Sequence, residues 1–127
     1  MAKIPETVLE AWQQRQDLYV FSTVSSDGIP NAVYVIWAKP LDDQSFLIVN
    51  NRFHKTMANI ESGSTGSLLF ITQNKESFQL KGKLEYHTEG AIYEDMKKWL
   101  DPAFPGLGAV VLKVEEVYAG AQSLLNT

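Results

Sequence analysis

The segment VNNRFHKTMANI, residues 49–60, marks the point where an apolar strand ends, a polar loop follows and a short helix begins. The loop brings the basic residues Arg52, His54 and Lys55 next to the hydroxyl of Thr56. Because a helix N-terminus carries free backbone N–H groups and a partial positive charge, such a loop suits the binding of a monophosphate. The chemistry leaves an equal alternative, in which Thr56 only caps the helix and water surrounds the basic side chains.

Segments rich in β-branched and aromatic residues lie on both sides of this loop and predict six strands. These are residues 18–25, 31–39, 45–50, 68–72, 77–87 and 109–118. The turn signals Asp27-Gly28 and Asp42-Asp43 separate the first three strands. The first three strands are therefore predicted to form an antiparallel meander.

Two of the strands carry further information. The apolar run 32–38 in the second strand predicts burial on both of its faces, either inside the fold or between subunits. The fifth strand, residues 77–87, alternates between apolar and polar residues. Gly82 interrupts its apolar row and predicts a bulge or the close approach of another backbone.

Helical spacing and helix-boundary signals occur in residues 5–16, 56–62 and 90–100. The length of 127 residues matches the size of a single domain. Six strands with two or three short helices predict a mainly β fold with a minor α+β component, closed as a small antiparallel barrel.

The composition excludes several classes of chemistry. The chain has no cysteine, which removes disulfides, thiolate nucleophiles, iron–sulfur clusters and zinc–cysteine sites. Its two histidines, His54 and His87, do not predict a metal site. With 11 Lys and Arg against 15 Asp and Glu, the net charge of −4 does not favour a nucleic-acid-binding surface.

Common catalytic and targeting signals are missing from the sequence. It contains no G-x-S-x-G, G-x-G-x-x-G or P-loop motif. The adjacent acids Asp42-Asp43 and Glu115-Glu116 are interpreted as structural, because neighbours on a strand point to opposite faces and neighbours in a turn share solvent. Residues 1–16 lack the apolar core of a signal peptide, and no apolar run has the length of a membrane helix. A cytoplasmic protein without membrane contact is expected.

Residues 53–60, Phe-His-Lys-Thr-Met-Ala-Asn-Ile, resemble the phosphate-binding segment of the FMN-binding split-barrel family. That superfamily includes pyridoxamine 5′-phosphate oxidase and the small bacterial FMN-binding proteins, which carry a similar H-K-T-x-A-N segment. The resemblance extends over roughly residues 17–118 and includes the Asp27-Gly28 hairpin. It implies a six-stranded antiparallel split β-barrel with FMN at the interface of a homodimer.

The resemblance also implies which residues contact FMN. The basic loop would bind the phosphate, the second and third predicted strands would line the isoalloxazine ring, and the start of the fifth strand would reach the partner's flavin. In chain order, the implied contacts are Tyr34, Val35, Ile36, Val49, Asn50, His54, Lys55, Thr56, Ser77 and Gln79. Among them, Lys55 stands where the family usually has its basic residue.

The sequence departs from the oxidase pattern at the basic contacts of that enzyme. Val33 and Ala38 stand where the oxidase has basic residues, and residues 119–127 contain no basic residue. The resemblance therefore implies electron transfer to a redox partner, or oxidoreduction of a small molecule, rather than vitamin B6 oxidation. The resemblance leaves open whether the protein is an enzyme.

Two alternatives stand beside FMN binding. One is a split barrel that binds a deazaflavin or haem. The other is a non-catalytic module that binds a protein or single-stranded nucleic acid, although the acidic balance of the chain argues against nucleic acid.

Overall fold

The chain folds into three helices and eight strands, which the computed structural model describes over residues 3–125. The helices are α1 (Glu6–Trp12), α2 (Lys55–Glu61) and α3 (Ala91–Trp99). The strands are β1 (Tyr19–Val24), β2 (Pro30–Val35), β3 (Ala38–Asp42), β4 (Ser45–Asn50), β5 (Thr65–Ile71), β6 (Ser77–His87), β7 (Gly108–Ala119) and β8 (Gln122–Ser123).

The strands form one antiparallel sheet with the order β2-β1-β5-β6-β7-β4-β3, and β8 pairs with β7. β2 and β3 lie at opposite ends of this order, yet only Ile36 and Trp37 separate them in the chain. Because two residues span only a few ångströms, the two ends of the sheet must approach each other, and the sheet curls into a half-barrel. The mainly β, antiparallel fold is confirmed.

The predicted number of six strands is wrong, and the correction concerns the second strand. Residues 31–39 form two strands, because the chain bends at Ile36 before it continues as β3. The predicted meander is wrong at the same place. β1–β2 and β3–β4 are the two predicted hairpins, but β2 and β3 do not pair. A run of apolar residues does not report a change of backbone direction, so the bend left no signal in the periodicity.

Burial of the second strand on both faces is also wrong within one chain. Tyr34 is 73% exposed and Ile36 is 46% exposed, whereas Val35 between them is buried. The reason is that alternate residues of β2 point to opposite faces of the sheet: Val35 faces the core, whereas Tyr34 lies on the outer face, opposite Val20. Coverage of this strand by a second subunit remains a prediction.

The main core packs around Trp12 at the end of α1. Its ring contacts Phe46 and Phe70 edge-on, with centroids 5.0 and 4.9 Å apart. The helix ends at Trp12 rather than at residue 16, because the N–H of Gln16 bonds to the carbonyl of Ile71 at 2.8 Å. The other helices lie within one or two residues of their predicted bounds.

The prediction of a bulge at Gly82 is confirmed. The register of β6 with β7 shifts between Lys81 and Gly82, so Glu115 is an extra residue on β7. A Cβ atom at position 82 would overlap the carbonyl oxygen of Lys113. Glycine is therefore required because the backbone of β7 crosses at this point.

A second cluster lies outside the half-barrel and supports the site described below. α3 buries Met96, and Leu100 follows it, against Leu47, Val49 and Ala109 of the sheet. The aromatic residues Trp37, Trp99 and Phe104 pack onto the same cluster. No helix within residues 3–125 has both the length and the apolar character needed to cross a membrane.

Candidate functional site

A cleft of about 490 Å³ lies where the edge strand β2, the end of β4 and the loop before α2 meet. Its volume falls within the range of about 300–1,000 Å³ that is usual for small-molecule sites. The cleft is basic where Asn31 of β2 meets Thr56 next to Lys55, aliphatic along β2, and aromatic where Trp37 meets Phe104. Its lining residues are Asn31, Val33, Tyr34, Val35, Ile36, Trp37, Val49, Asn51, Arg52, Phe53, His54, Lys55 and Phe104.

The wall formed by β2 exposes backbone as well as side chains. β2 pairs with β1 along one edge only, so alternate residues direct their N–H and C=O groups away from the sheet. Val33, Tyr34 and Val35 of this strand line the cleft. A flat ligand with hydrogen-bonding groups along one edge can therefore pair with this strand.

The basic end of the cleft consists of Arg52, His54 and Lys55, all of which are exposed to solvent. Among the described residues that line the cleft there is no Asp or Glu, so no acidic side chain of the lining neutralises these charges. His54 precedes α2, and its carbonyl accepts a hydrogen bond from the N–H of Ala58 at 3.1 Å. This end of the cleft favours an anion, mainly through its side chains, since α2 has only seven residues.

The aromatic end of the cleft consists of Trp37 and Phe104. Their ring centroids lie 5.6 Å apart, and Trp99 packs edge-on against Trp37 at 5.2 Å. The indole N–H of Trp37 is buried and has no hydrogen-bond partner among residues 3–125. The Nζ of Lys39 lies 4.4 Å from the ring centroid of Trp99, which is a cation–π contact.

Six of the ten residues implied by the family resemblance lie together in the cleft. They are Tyr34, Val35, Ile36, Val49, His54 and Lys55. The other four lie elsewhere: Asn50 and Thr56 behind the cleft, and Ser77 and Gln79 away from it.

Thr56 is buried and links α2 to β2. It is 1% exposed, and its hydroxyl accepts a hydrogen bond from the side-chain amide of Asn31 at 3.0 Å. Asn31 itself lines the cleft. Thr56 thus positions a lining residue from behind.

Asn50 is also buried, with 3% of its surface exposed. Its Oδ1 accepts a hydrogen bond from the N–H of Phe53, and its Nδ2 donates to the hydroxyl of Tyr86, both at 2.8 Å. The side chain of Asn50 therefore supports the loop that carries the basic residues, with no surface of its own in the cleft lining.

Ser77 and Gln79 lie on β6, at a distance from the cleft in the sheet order. The side chain of Gln79 donates to the hydroxyl of Ser67 at 2.7 Å and lines a separate polar groove of about 340 Å³. The carbonyl of Ser77 accepts a hydrogen bond from the N–H of Gly120. Within one chain, neither residue meets the other predicted contacts.

Several lining residues were not among the predicted contacts. Arg52 and Asn51 had a sequence signal, because they belong to the polar loop after the third predicted strand. Phe104 had none, since it lies far along the chain, in the loop between α3 and β7. The loop reaches the cleft because the N–H of Gly106 bonds to the Asn51 side chain.

Ionisable groups outside the cleft show one clear electrostatic effect. The hydroxyl of Tyr118 donates to the carboxylate of Glu116 at 2.6 Å. This hydrogen bond, together with the negative charge of Glu116, raises the pKa of Tyr118. Within residues 3–125, no three His, Asp or Glu side chains are grouped as a metal site.

The curled antiparallel sheet, with a cleft lined by basic, aliphatic and aromatic side chains, defines a protein of the half-barrel class. Residues 4–120 match the model of the pyridoxamine 5′-phosphate oxidase family, and the chain belongs to that family. An uncharacterised protein of Methanocaldococcus jannaschii is 31% identical over 123 residues, which cover 93% of this chain and 81% of that protein.

Solved structures share the fold. HupZ of Group A Streptococcus superposes with a TM-score of 0.82 and 24% identity, covering 98% of this chain and 99% of that one. An FMN-binding protein of Syntrophomonas wolfei gives a TM-score of 0.77 at 20% identity, with coverage of 96% and 86%. HutZ, the heme storage protein of Vibrio cholerae, gives 0.67 at 13% identity, with coverage of 93% and 95%.

Proposed function

We propose that the protein binds FMN in the cleft between β2, β4 and the loop before α2, and that it works as a flavoprotein. The observation that carries the proposal is the order of surfaces along the cleft. At the start of β2, Asn31 meets Thr56, which is the neighbour of the basic Lys55. The aliphatic, free edge of β2 follows, and Trp37 meets Phe104 just beyond the end of this strand. FMN has the same order of chemistry, with a phosphate at one end and a flat, partly polar ring at the other.

The basic end fits the phosphate. Lys55 and Arg52 supply charge-assisted hydrogen bonds, and His54 adds a ring N–H donor. A dianionic phosphate placed among these groups meets no acidic side chain from the described lining. The donor set thus favours FMN over riboflavin, which has the same ring without the phosphate.

The middle of the cleft fits the flavin ring. Val35, Ile36 and Val49 offer apolar contact, and the unpaired edge of β2 offers backbone N–H and C=O groups. When bound, FMN supplies the redox chemistry, and the protein orients the ring and limits its access to water. The backbone N–H groups on the unpaired edge of β2 would be the groups that stabilise negative charge on a bound flavin.

Electron transfer or reduction of a small molecule is the proposed role of the bound flavin. The oxidase pattern places basic residues where this chain has Val33 and Ala38, and Val33 lines the cleft as an apolar side chain. Pyridoxamine 5′-phosphate would bring a second phosphate group, in addition to that of FMN. Within the described part of the lining, the aliphatic and aromatic surface next to the ring offers no basic side chain to bind it.

A homodimer is part of the proposal, because one chain leaves the cleft and its neighbourhood open. An outer row of side chains crosses four neighbouring strands of the sheet. It consists of Tyr34 on β2, Val20 on β1, Leu69 on β5 and Gln79 on β6. Tyr34 and Leu69 in this row are exposed. If a second copy packs on the outer row, Gln79 comes under the partner, which is consistent with the predicted contact to the partner's flavin.

Haem is the second candidate ligand, and one observation favours it. His54 lines the cleft and is exposed, and a neutral imidazole can coordinate haem iron. The neighbour with the name heme storage protein shares the fold. The basic trio can also pair with haem propionates, so a direct comparison of the two ligands is needed.

The test is a parallel titration of the purified protein with FMN, riboflavin and haem. We expect quenching of flavin fluorescence, with FMN bound more tightly than riboflavin, and a flavin absorbance band that stays with the protein on a sizing column. Absence of quenching by either flavin would contradict the proposal. A sharp haem Soret band without flavin binding would establish the second candidate. Anaerobic addition of NADH or NADPH to the FMN complex then tests for an electron donor.

A further inference from the structure

The hydroxyl of Tyr86 reaches across the sheet to the side chain of Asn50. Tyr86 lies on β6 and Asn50 ends β4, with β7 between these two strands. The Nδ2 of Asn50 donates to the Tyr86 hydroxyl at 2.8 Å. The half-buried side chain of Tyr86 is thereby connected to the end of β4. This strand precedes the basic loop, which we define as residues 51–55.

Gly108 makes this reach possible. It lies on β7 opposite Asn50, and a Cβ atom at this position would overlap the ring and hydroxyl of Tyr86. Any other residue at position 108 would displace the tyrosine ring from its path. The φ of Gly108 is not in the left-handed region, so the backbone conformation does not require glycine here. The close approach of the Tyr86 ring does.

The Phe53 N–H determines which way the Asn50 amide points, and the Tyr86 hydroxyl then holds the amide in that orientation. One side of this amide meets the Tyr86 hydroxyl, and the other side meets the backbone N–H of Phe53 at 2.8 Å. Because the Phe53 N–H is a donor, the amide oxygen must face it, and the NH₂ must face another group. The Tyr86 oxygen accepts from that NH₂, and the remaining contact, to the sulfur of Met57 at 3.6 Å, is weak.

We propose that Tyr86 is a positioning residue for the basic loop: it fixes the Asn50 amide so that its oxygen holds the Phe53 N–H. Phe53 is followed directly by His54 and Lys55, so the position of its backbone sets where these two basic side chains begin. Tyr86 itself is not in the cleft lining. This inference rests on the proposed function, which names FMN as the ligand. It assigns Asn50 a supporting role instead of direct contact with FMN.

The first test is a double-mutant cycle read by flavin titration. Removing one hydrogen bond in Tyr86→Phe is expected to weaken FMN binding about threefold to tenfold, with a smaller effect on riboflavin. If Tyr86 acts through Asn50, adding Tyr86→Phe to Asn50→Ala has no further effect. Ser45→Ala is the control, because it also removes one side-chain hydrogen bond, at the end of β4 away from Asn50 and outside the cleft lining, and it is expected to leave both affinities unchanged. Additive losses in the cycle, or equal losses for FMN and riboflavin, would overturn the proposal.

The second test needs no ligand. Hydrogen exchange of the Phe53 amide, followed by NMR, is expected to speed up in Tyr86→Phe while the amides of β4 keep their protection. Unchanged exchange at Phe53 would overturn the inference even if FMN binds. Conversely, faster exchange in a protein that binds no FMN would support the positioning of the loop and reject the proposed function. If Asn50→Ala does not fold, Asn50→Ser, which retains a hydroxyl acceptor, takes its place in the cycle.

Discussion

The side-chain oxygen of Asn51 accepts a hydrogen bond from the backbone N–H of Gly106 at 2.9 Å, although the two residues are 55 positions apart. The bond joins the loop after β4 to the loop before β7, which carries Phe104. Gly106 has a φ of +54°, and a Cβ there would lie 2.7 Å from a methyl group of Leu100. The aromatic end of the cleft therefore depends on a polar contact made by the same loop that supplies the basic end.

Asn51→Ala is expected to free the loop 101–107 and to weaken ring binding. Loss of one hydrogen bond corresponds to about 1 kcal/mol, or roughly a fivefold change in affinity. Because Phe104 presents an uncharged ring and the two flavins share the same ring system, FMN and riboflavin are expected to lose affinity equally. Flavin titration measures both values.

Asn74→Ala is the control for this substitution, since Asn74 is an exposed residue between β5 and β6. It is expected to leave both flavin affinities unchanged. A loss in Asn51→Ala that is confined to FMN would show that Asn51 acts on the phosphate end, and the assigned role for Phe104 would then be wrong.

Lys55→Ala is expected to weaken FMN about tenfold to a hundredfold and to leave riboflavin nearly unchanged. The reason is that a hydrogen bond from a charged donor to phosphate contributes about 1.5–3 kcal/mol, and riboflavin has no phosphate to accept it. Lys98→Ala on α3, also an exposed lysine to alanine change, serves as the control. Equal weakening of the two flavins would remove Lys55 from the phosphate site.

The local elements of this fold could be predicted from the sequence because their signals are local. The Asp27-Gly28 turn forms the β1–β2 hairpin, with Gly28 at a φ of +80°. Three predicted helices are present, and the basic loop lies between β4 and α2 as its polar residues indicated. The polar loop also predicted the basic part of the cleft, because basic residues that are close in sequence stay close together in a short loop.

The remainder depends on contacts between distant segments, which periodicity does not report. The bend at Ile36 is set by the curling of the whole sheet, while the residues around it form one apolar run. β5 begins at Thr65 instead of residue 68, because pairing of Thr65 with Lys83 stabilises three residues of weak strand pattern. Phe104 joins the cleft through the Asn51–Gly106 bond, for which no spacing in the sequence gives a sign.

Leu69→Glu is expected to convert a dimer to a monomer. Leu69 is 37% exposed and lies between Val20 and Gln79 in the outer row, so a carboxylate there would be buried unpaired against a second copy. Light scattering after size exclusion measures the mass, and FMN affinity is expected to fall with it. Ile29→Glu, at the tip of the β1–β2 hairpin, is the control. A wild-type protein that is monomeric and still binds FMN tightly would contradict the shared interface.

Glu116→Gln is expected to lower the pKa of Tyr118 toward its ordinary value. In the native protein, the hydrogen bond to Glu116 and then its charge favour the neutral phenol and raise the pKa. A raised pKa in the folded state contributes stability below the ordinary pKa, and this contribution is lost as the pH rises through the raised value. Ultraviolet titration of the phenolate, compared with Tyr118→Phe to identify the signal, measures the shift. An unchanged titration curve in Glu116→Gln would show that the two side chains do not interact in solution.

Gly82→Ala is expected to be among the most destabilising small substitutions in the chain. The added methyl group would overlap a backbone carbonyl of β7, and a carbonyl within a sheet cannot move aside as a flexible side chain can. The expected loss is about 3 kcal/mol or more, and Tm should fall by about 10 °C for a domain of this size. Gly120→Ala provides the contrast, since its φ is +57° and the space around it is open, so only backbone strain of about 1 kcal/mol is added. Thermal unfolding followed by circular dichroism compares the two variants. If Gly82→Ala lost no more stability than Gly120→Ala, then β7 would not cross β6 as closely as the bulge requires, and the register of these two central strands would need revision.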